Sequence, residues 1–155
     1  MTEPPSRPVL DSLEVRSPRV AAAGVRVLTR LPPTLRRRIL AGALDRAANA
    51  FNRGDLAAVF ALFAEDVEYV PPPALYGGQP LVGRGAVFDF WRDVFARFER
   101  NTIVNLSIEE TNPSRFIRSA LLSRRGGRGP LEYVIRQTTE LRDGLVVRQV
   151  NEHGS

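Results

Sequence analysis

Residues 50–70 read AFNRGDLAAVFALFAEDVEYV, and the order of breaks in that stretch decides the fold. An apolar pattern of helical period arrives at Phe51 and stops at Asn52-Arg53. Gly54 suits the left-handed position that ends a helix, because it has no Cβ to clash there. Asp55 suits an N-cap, its carboxylate placed to accept from an unpaired amide of the next turn. Leu56, Val59, Phe60 and Phe63 recur at three- and four-residue spacing and predict a short helix over 56–64. Residues 67–70 then predict a strand, cut off by Pro71-Pro72-Pro73 because proline cannot donate to a ladder.

Upstream, Leu35, Ile39, Ala43, Ala47, Ala50 and Phe51 form one stripe and predict a helix over 34–52, with Thr34 as its cap. Pro32-Pro33 closes off an earlier segment, 20–31, whose pattern allows a short amphipathic helix. Residues 1–19, rich in Pro, Ser and charge, predict a disordered or loosely attached stretch. Downstream, 71–84 reads as a Pro- and Gly-rich loop. Val87, Trp91, Val94, Phe95 and Phe98, widened by Phe88 and Phe90, predict a third helix over 85–100. Four strands follow at 102–110, 115–124, 131–141 and 145–151. Their separators carry turn chemistry: Asn112-Pro113-Ser114, Gly126-Gly127-Arg128-Gly129 and Arg142-Asp143-Gly144. Helices first and a meander after them make an α+β domain over 34–155, behind a basic extension over 1–33.

Composition narrows the chemistry. There is no cysteine, so disulfides, thiolate nucleophiles and zinc–thiolate sites are excluded. His153 is the single histidine, two places before Ser155, a poor seat for an acid–base triad. No cofactor or metal is expected. All 22 basic residues are Arg. Residues 1–44 hold eight of them against three acids, and the remainder balances at 14 and 14, so the net charge of +5 sits in the N-terminal segment. A neutral body does not read as a nucleic-acid binder. No apolar run is long enough to span a membrane, and no secretory leader is visible, so a cytoplasmic location is expected.

Ala50 to Leu56 and Leu62 to Tyr69 resemble the helix-turn-helix-strand opening of the SnoaL-like, nuclear-transport-factor-2-like superfamily. Gly83-Arg84-Gly85 ahead of an aromatic helix is similar to its third-helix entry, and 141–148 (LRDGLVVR) to its last hairpin. The resemblance covers 34–153. It implies a cone-shaped fold, with three helices packed on a curved, mostly antiparallel sheet around a small-molecule pocket, in a homodimer. The superfamily includes ketosteroid isomerases, limonene epoxide hydrolases and polyketide cyclases beside non-catalytic domains, so it does not by itself define an activity.

Set against those families, the catalytic groups are missing. The position of the isomerases' general base falls at Pro71, and their two oxyanion donors fall near Ala47 and Gln137. The epoxide hydrolases' water-positioning tyrosine matches Tyr69, but the asparagine two residues later is Pro71. Their last-strand aspartate is Asn151, and their Arg-x-Asp pair is met only by Arg118 with Ala120. No carboxylate is left to take a proton. Strand alternation places Tyr133, Ile135, Gln137 and Thr139 inward on one strand and Leu145, Val147, Gln149 and Asn151 inward on the next. The candidate ligand-binding set is therefore Tyr69, Trp91, Phe95, Arg118, Tyr133, Gln137, Gln149 and Asn151. It suits an apolar oxygenated molecule, polyketide- or terpenoid-like, with isomerase, cyclase or hydrolase chemistry as one reading. A non-catalytic ligand-binding or dimeric interaction domain is the other. The amides serve a structural hydrogen-bond network equally well.

Overall fold

The structure is a computed structural model and describes residues 30–76, 79–126 and 131–155. The segment 20–31, considered above as a helix, and the stretch 1–19 fall outside them apart from Arg30 and Leu31.

Helix α1 runs Pro33–Asn52, followed by a single turn, α2, Leu56–Val59. Proline at the first helical position costs nothing, since its missing N–H would be unpaired there anyway. Pro32 thus occupies the cap position, without a side-chain cap bond, and the expected cap at Thr34 is not formed. The next break behaves as its residues dictate. Gly54 sits at φ 74°, and the Asp55 carboxylate accepts from the Ala58 amide at 3.2 Å.

Strand β1 spans Phe63–Val70, four residues earlier than its apolar run suggests. The short helix is correspondingly cut back to α2. Phe60 and Phe63 meet edge to face at 4.9 Å across the bend between them, a contact that an extended start of β1 permits. The Pro- and Gly-rich loop contains one helical turn, α3 Pro73–Tyr76, and a two-residue strand, β2 Leu81–Val82. Helix α4, Arg84–Arg97, stops three residues short of the expected end because Phe98 is already extended.

The remaining strands are β3 Arg100–Asn112, β4 Arg115–Arg125, β5 Leu131–Arg142 and β6 Leu145–His153. Asp143 and Gly144 both have positive φ, 53° and 78°, the geometry of a two-residue hairpin whose twist matches the strands. The sheet order is β2-β1-β6-β5-β4-β3. All pairs are antiparallel except β1 with β6. Register shifts in β1, β3 and the β5–β6 pair bend the sheet.

Helix α1 crosses the sheet alongside β3, tied to it at three levels. Arg36 Nε donates to Glu110 at 2.8 Å. Asn105 Nδ2 donates to Asp45 at 2.9 Å. Asn52 takes both backbone groups of Ile103, accepting from its amide at 2.7 Å and donating to its carbonyl at 3.1 Å. These bonds orient the helix, and burial supplies the energy. Phe51, Phe60, Phe63, Val67, Tyr69, Val87, Trp91, Leu122 and Ile135 form one cluster between the helices and the inner face of the sheet. The predicted stripe of α1 is rotated in practice: Leu35 is 45% exposed, while Leu40 and Leu44 join Ala43, Ala47 and Phe51 facing the sheet.

Candidate functional site

Between α1, α2, α4 and the sheet lies a cavity of about 190 Å³, open on one side. For scale, a dry cavity of about 150 Å³ holds a benzene ring. Leu40, Leu44, Phe60, Phe63, Ile103 and Val146 are among its apolar walls.

A row of polar groups crosses its floor from strand to strand. Arg118 of β4 is the register partner of Gln137 of β5. Gln137 is in turn the partner of Asn151 of β6. Asn151 Nδ2 donates to the Val70 carbonyl at the end of β1, 2.8 Å away. A carbonyl can only accept, so this bond decides which way the Asn151 amide faces. Asn151 Oδ1 is thereby turned to Gln137 and accepts from its Nε2 at 2.8 Å. The same logic leaves Gln137 Oε1 buried without a hydrogen-bond partner among the described residues. Gln149 Nε2 donates to Thr139 Oγ1 at 3.0 Å, adding a second pair nearby.

Tyr69 and Trp91 form the end wall, the indole Nε1 donating to the phenol oxygen at 2.9 Å. Burial pushes the Tyr69 hydroxyl well above the usual tyrosine range, outweighing its bonds with Trp91 and Asn151. It is a neutral donor, not a base. Arg118 is 7% exposed. Its Nη1 donates to Asn105 Oδ1 at 3.0 Å, and burial lowers the guanidinium to about 10. It stays charged at neutral pH. Gln137 and Asn151 do not titrate, and among the described residues none that lines the cavity is Asp, Glu or His. Among the described residues there is also no group of three or more His, Asp or Glu placed to hold a metal.

Of the eight candidates, Tyr69, Trp91, Arg118, Gln137, Gln149 and Asn151 line the cavity, whereas Phe95 and Tyr133 do not. Phe95 packs behind the wall, edge to face with Phe51 at 5.0 Å. Tyr133 accepts from Arg124 Nη2 at 2.8 Å, and that guanidinium lies over the Phe98 and Tyr133 rings. On β6 the expected inward pair, Leu145 and Val147, is replaced by Gly144 and Val146. Glu140 faces Arg148 while Leu141 faces Val146, so Val147 is an extra residue in the strand. Alternation resumes beyond it, with Gln149 and Asn151 inward as expected. The buried Arg124, 2% exposed, and Asn105 escaped the sequence reading. The signal for Arg124 was its even spacing from Phe116, Arg118, Ala120 and Leu122 on the inner face of β4.

Two long segments of helix over a curved six-stranded sheet, enclosing an apolar cavity with a polar floor, define the nuclear-transport-factor-2-like class of α+β domains. Within that class the chain belongs to the SnoaL-like domain family, whose model matches residues 44–149. Solved structures of this fold include TerC co-crystallised with polyporic acid, at 17% identity and TM-score 0.62, covering 73% of this chain and 89% of that one. A protein from Mycobacterium tuberculosis in complex with estradiol-17beta-hemisuccinate matches at 19% identity and TM-score 0.61, covering 73% and 90%. An LEH-like epoxide hydrolase from M. tuberculosis matches at 15% identity and TM-score 0.59, covering 72% and 80%. A search of curated protein sequences finds no match.

Proposed function

We propose that this chain binds a small, largely apolar oxygenated molecule, polyketide- or terpenoid-like, in the cavity above β4–β6, with an oxygen of the ligand against the Arg118–Gln137–Asn151 row. The observation that carries the reading is the pairing of apolar walls with one convergent polar floor, the usual composition of a small-molecule site. Domains of the same fold crystallised with polyporic acid and with an estradiol hemisuccinate support a small-molecule ligand here. The groups present stabilise charge and donate hydrogen bonds. They do not remove a proton at neutral pH, so a rate enhancement would come from Arg118 and Tyr69 stabilising an oxyanion. Binding is the function the geometry supports best.

The test is occlusion. Ala47 lines the cavity from α1, and Ala47→Phe places a ring in it. Native mass spectrometry of protein purified from its own host is expected to show a retained small molecule in the wild type and none in Ala47→Phe, with both chains folded by circular dichroism. The same molecule in both proteins removes the cavity as its site.

A second element of this reading is a homodimer. Val104 and Leu106 are 53% and 55% exposed on β3, which forms one edge of the sheet, and such an apolar edge invites pairing. Light scattering is expected to give a dimer for the wild type and a monomer for Val104→Lys/Leu106→Lys. A monomeric wild type at high concentration overturns the dimer without touching the pocket.

A further inference from the structure

We propose that the ligand is an acid: its anionic oxygen, a carboxylate or an ionised enol, pairs with Arg118 on the cavity floor and supplies the counter-charge that the chain withholds. The inference rests on the pocket reading above and names the ligand class for it. Three observations carry it. Arg118 is more than nine-tenths buried and lines the cavity. Its Nε is buried with no hydrogen-bond partner among the described residues. Its one described hydrogen bond goes to a neutral amide, Asn105 Oδ1. The chain of bonds reaches a carboxylate only one residue further on, at the exposed Asp45. A guanidinium taken out of water is costly unless an opposite charge meets it directly.

The other buried arginine of β4 makes the contrast. Arg124 lies outside this cavity and has the Tyr133 hydroxyl and two aromatic faces against its plane. Its Nε and Nη1 also lack hydrogen-bond partners among the described residues, but two rings and a hydroxyl lie against the guanidinium. Among the described residues no ring is stacked on Arg118 and no acid meets it. Arg36, the arginine that anchors α1, pairs with Glu110. Of these three, Arg118 is the one that lines the apolar cavity; the space beside Arg124 is a separate one that Glu132 also lines.

Gln137 adds a requirement. Its Oε1, fixed as an acceptor by the chain of amides running to Val70, stands one strand away from Arg118 and is unpartnered. An anionic oxygen on Arg118 with a hydroxyl beside it satisfies both groups, a donor to Gln137 and an acceptor from Arg118. A cavity of about 190 Å³ fits a ring or two carrying that pair. A hydrocarbon leaves both groups unmet, and a plain ester accepts from Arg118 but offers it no counter-charge and gives Gln137 no donor.

The experiment uses the full chain and three probes of one size: 2-naphthoate, the acidic enol 2-hydroxy-1,4-naphthoquinone, and neutral 2-naphthamide, titrated by isothermal calorimetry. At least one anion is expected to bind about 10- to 100-fold more tightly than the amide, the range of one charge-assisted pair. Which anion is preferred separates carboxylate from enolate. Arg118→Met is expected to abolish the preference and leave amide affinity within about threefold, while Arg118→Lys, a point charge without the planar fork, keeps part of it. The empty Arg118→Met protein is expected to melt no lower than wild type, because an uncompensated buried charge has been removed. A clear drop in its melting temperature makes Arg118 a structural residue and overturns the proposal. So does equal binding of amide and anions, or a preference that survives Arg118→Met, and in both cases the pocket reading stands. No binding of any probe to the wild type removes the pocket reading and the acid with it.

Discussion

Replacing Trp91 by alanine is expected to lower stability by about 3–5 kcal/mol, the range for deleting a large buried aromatic. Trp91 is 4% exposed and touches Phe51 and Phe90 edge to face at 5.2 and 5.5 Å. Each ring pair is worth about 0.5–1.5 kcal/mol beyond area burial. The indole also supplies the hydrogen bond to the Tyr69 oxygen. Its removal therefore opens a void between α1 and α4 and frees the hydroxyl that closes the cavity. Urea unfolding followed by far-ultraviolet circular dichroism measures the loss. Tryptophan emission cannot, since Trp91 is the single tryptophan. Trp91→Phe separates the two effects, keeping most of the volume while dropping the N–H, at a cost of about 1–2 kcal/mol. A loss below about 1 kcal/mol for the alanine variant would contradict a core role.

The second large effect is expected at Asn151. Asn151→Leu removes at once the acceptor for Gln137 Nε2 and the donor to the Val70 carbonyl. Asn151 is 2% exposed and Gln137 5%, so water does not readily replace either bond. Stranding two buried groups costs about 1–3 kcal/mol each, giving about 2–6 kcal/mol in total. The double variant Gln137→Leu/Asn151→Leu is expected to recover part of that loss, because only the Val70 carbonyl is then unmet. A double-mutant cycle on denaturant unfolding reads the coupling. Additive losses would mean the two amides act separately and do not form a row.

Much of this architecture can be read from local chemistry. Gly54, Asp55 and Asp143-Gly144 each have one conformational solution, and the structure adopts it. The four long strands appear between the expected turns. The boundaries that moved are those where two elements compete for the same apolar residues. Phe63 satisfies a helical stripe and a strand equally well, and tertiary packing on the sheet decides for the strand, leaving Phe60 at the end of α2. At the site, parity along β5 placed Ile135, Gln137 and Thr139 correctly because that strand is regular inside the cavity. Parity failed at Val147, because a bulge is a property of two strands together and one strand's sequence does not reveal it. Tyr133 shares the parity of Ile135, Gln137 and Thr139 and packs against the core, but parity does not say how far along the strand the cavity reaches. Phe95 belongs to the apolar stripe of α4, and nothing local says which ring of a stripe faces a void. Arg124 was missed for the opposite reason. Burial of an arginine is unfavourable in general, and only the rings of Phe98 and Tyr133, distant in sequence, make it tolerable.

The position of β6 has a consequence for the order in which the molecule is made. β6 lies between β1 and β5, pairing Glu68 with Arg148 across 80 positions of chain. A ribosome has therefore released the helices and β1 long before β6, the parallel partner of β1, exists. The hairpins of β3, β4 and β5 can close as they emerge, because their contacts are local. The inner edge of β1 stays open until the final strand threads between two preformed pieces. The nascent protein thus carries an unpaired strand edge, and helices whose apolar faces still lack their sheet, for most of its synthesis, which is when chaperone engagement or misassociation would act on it.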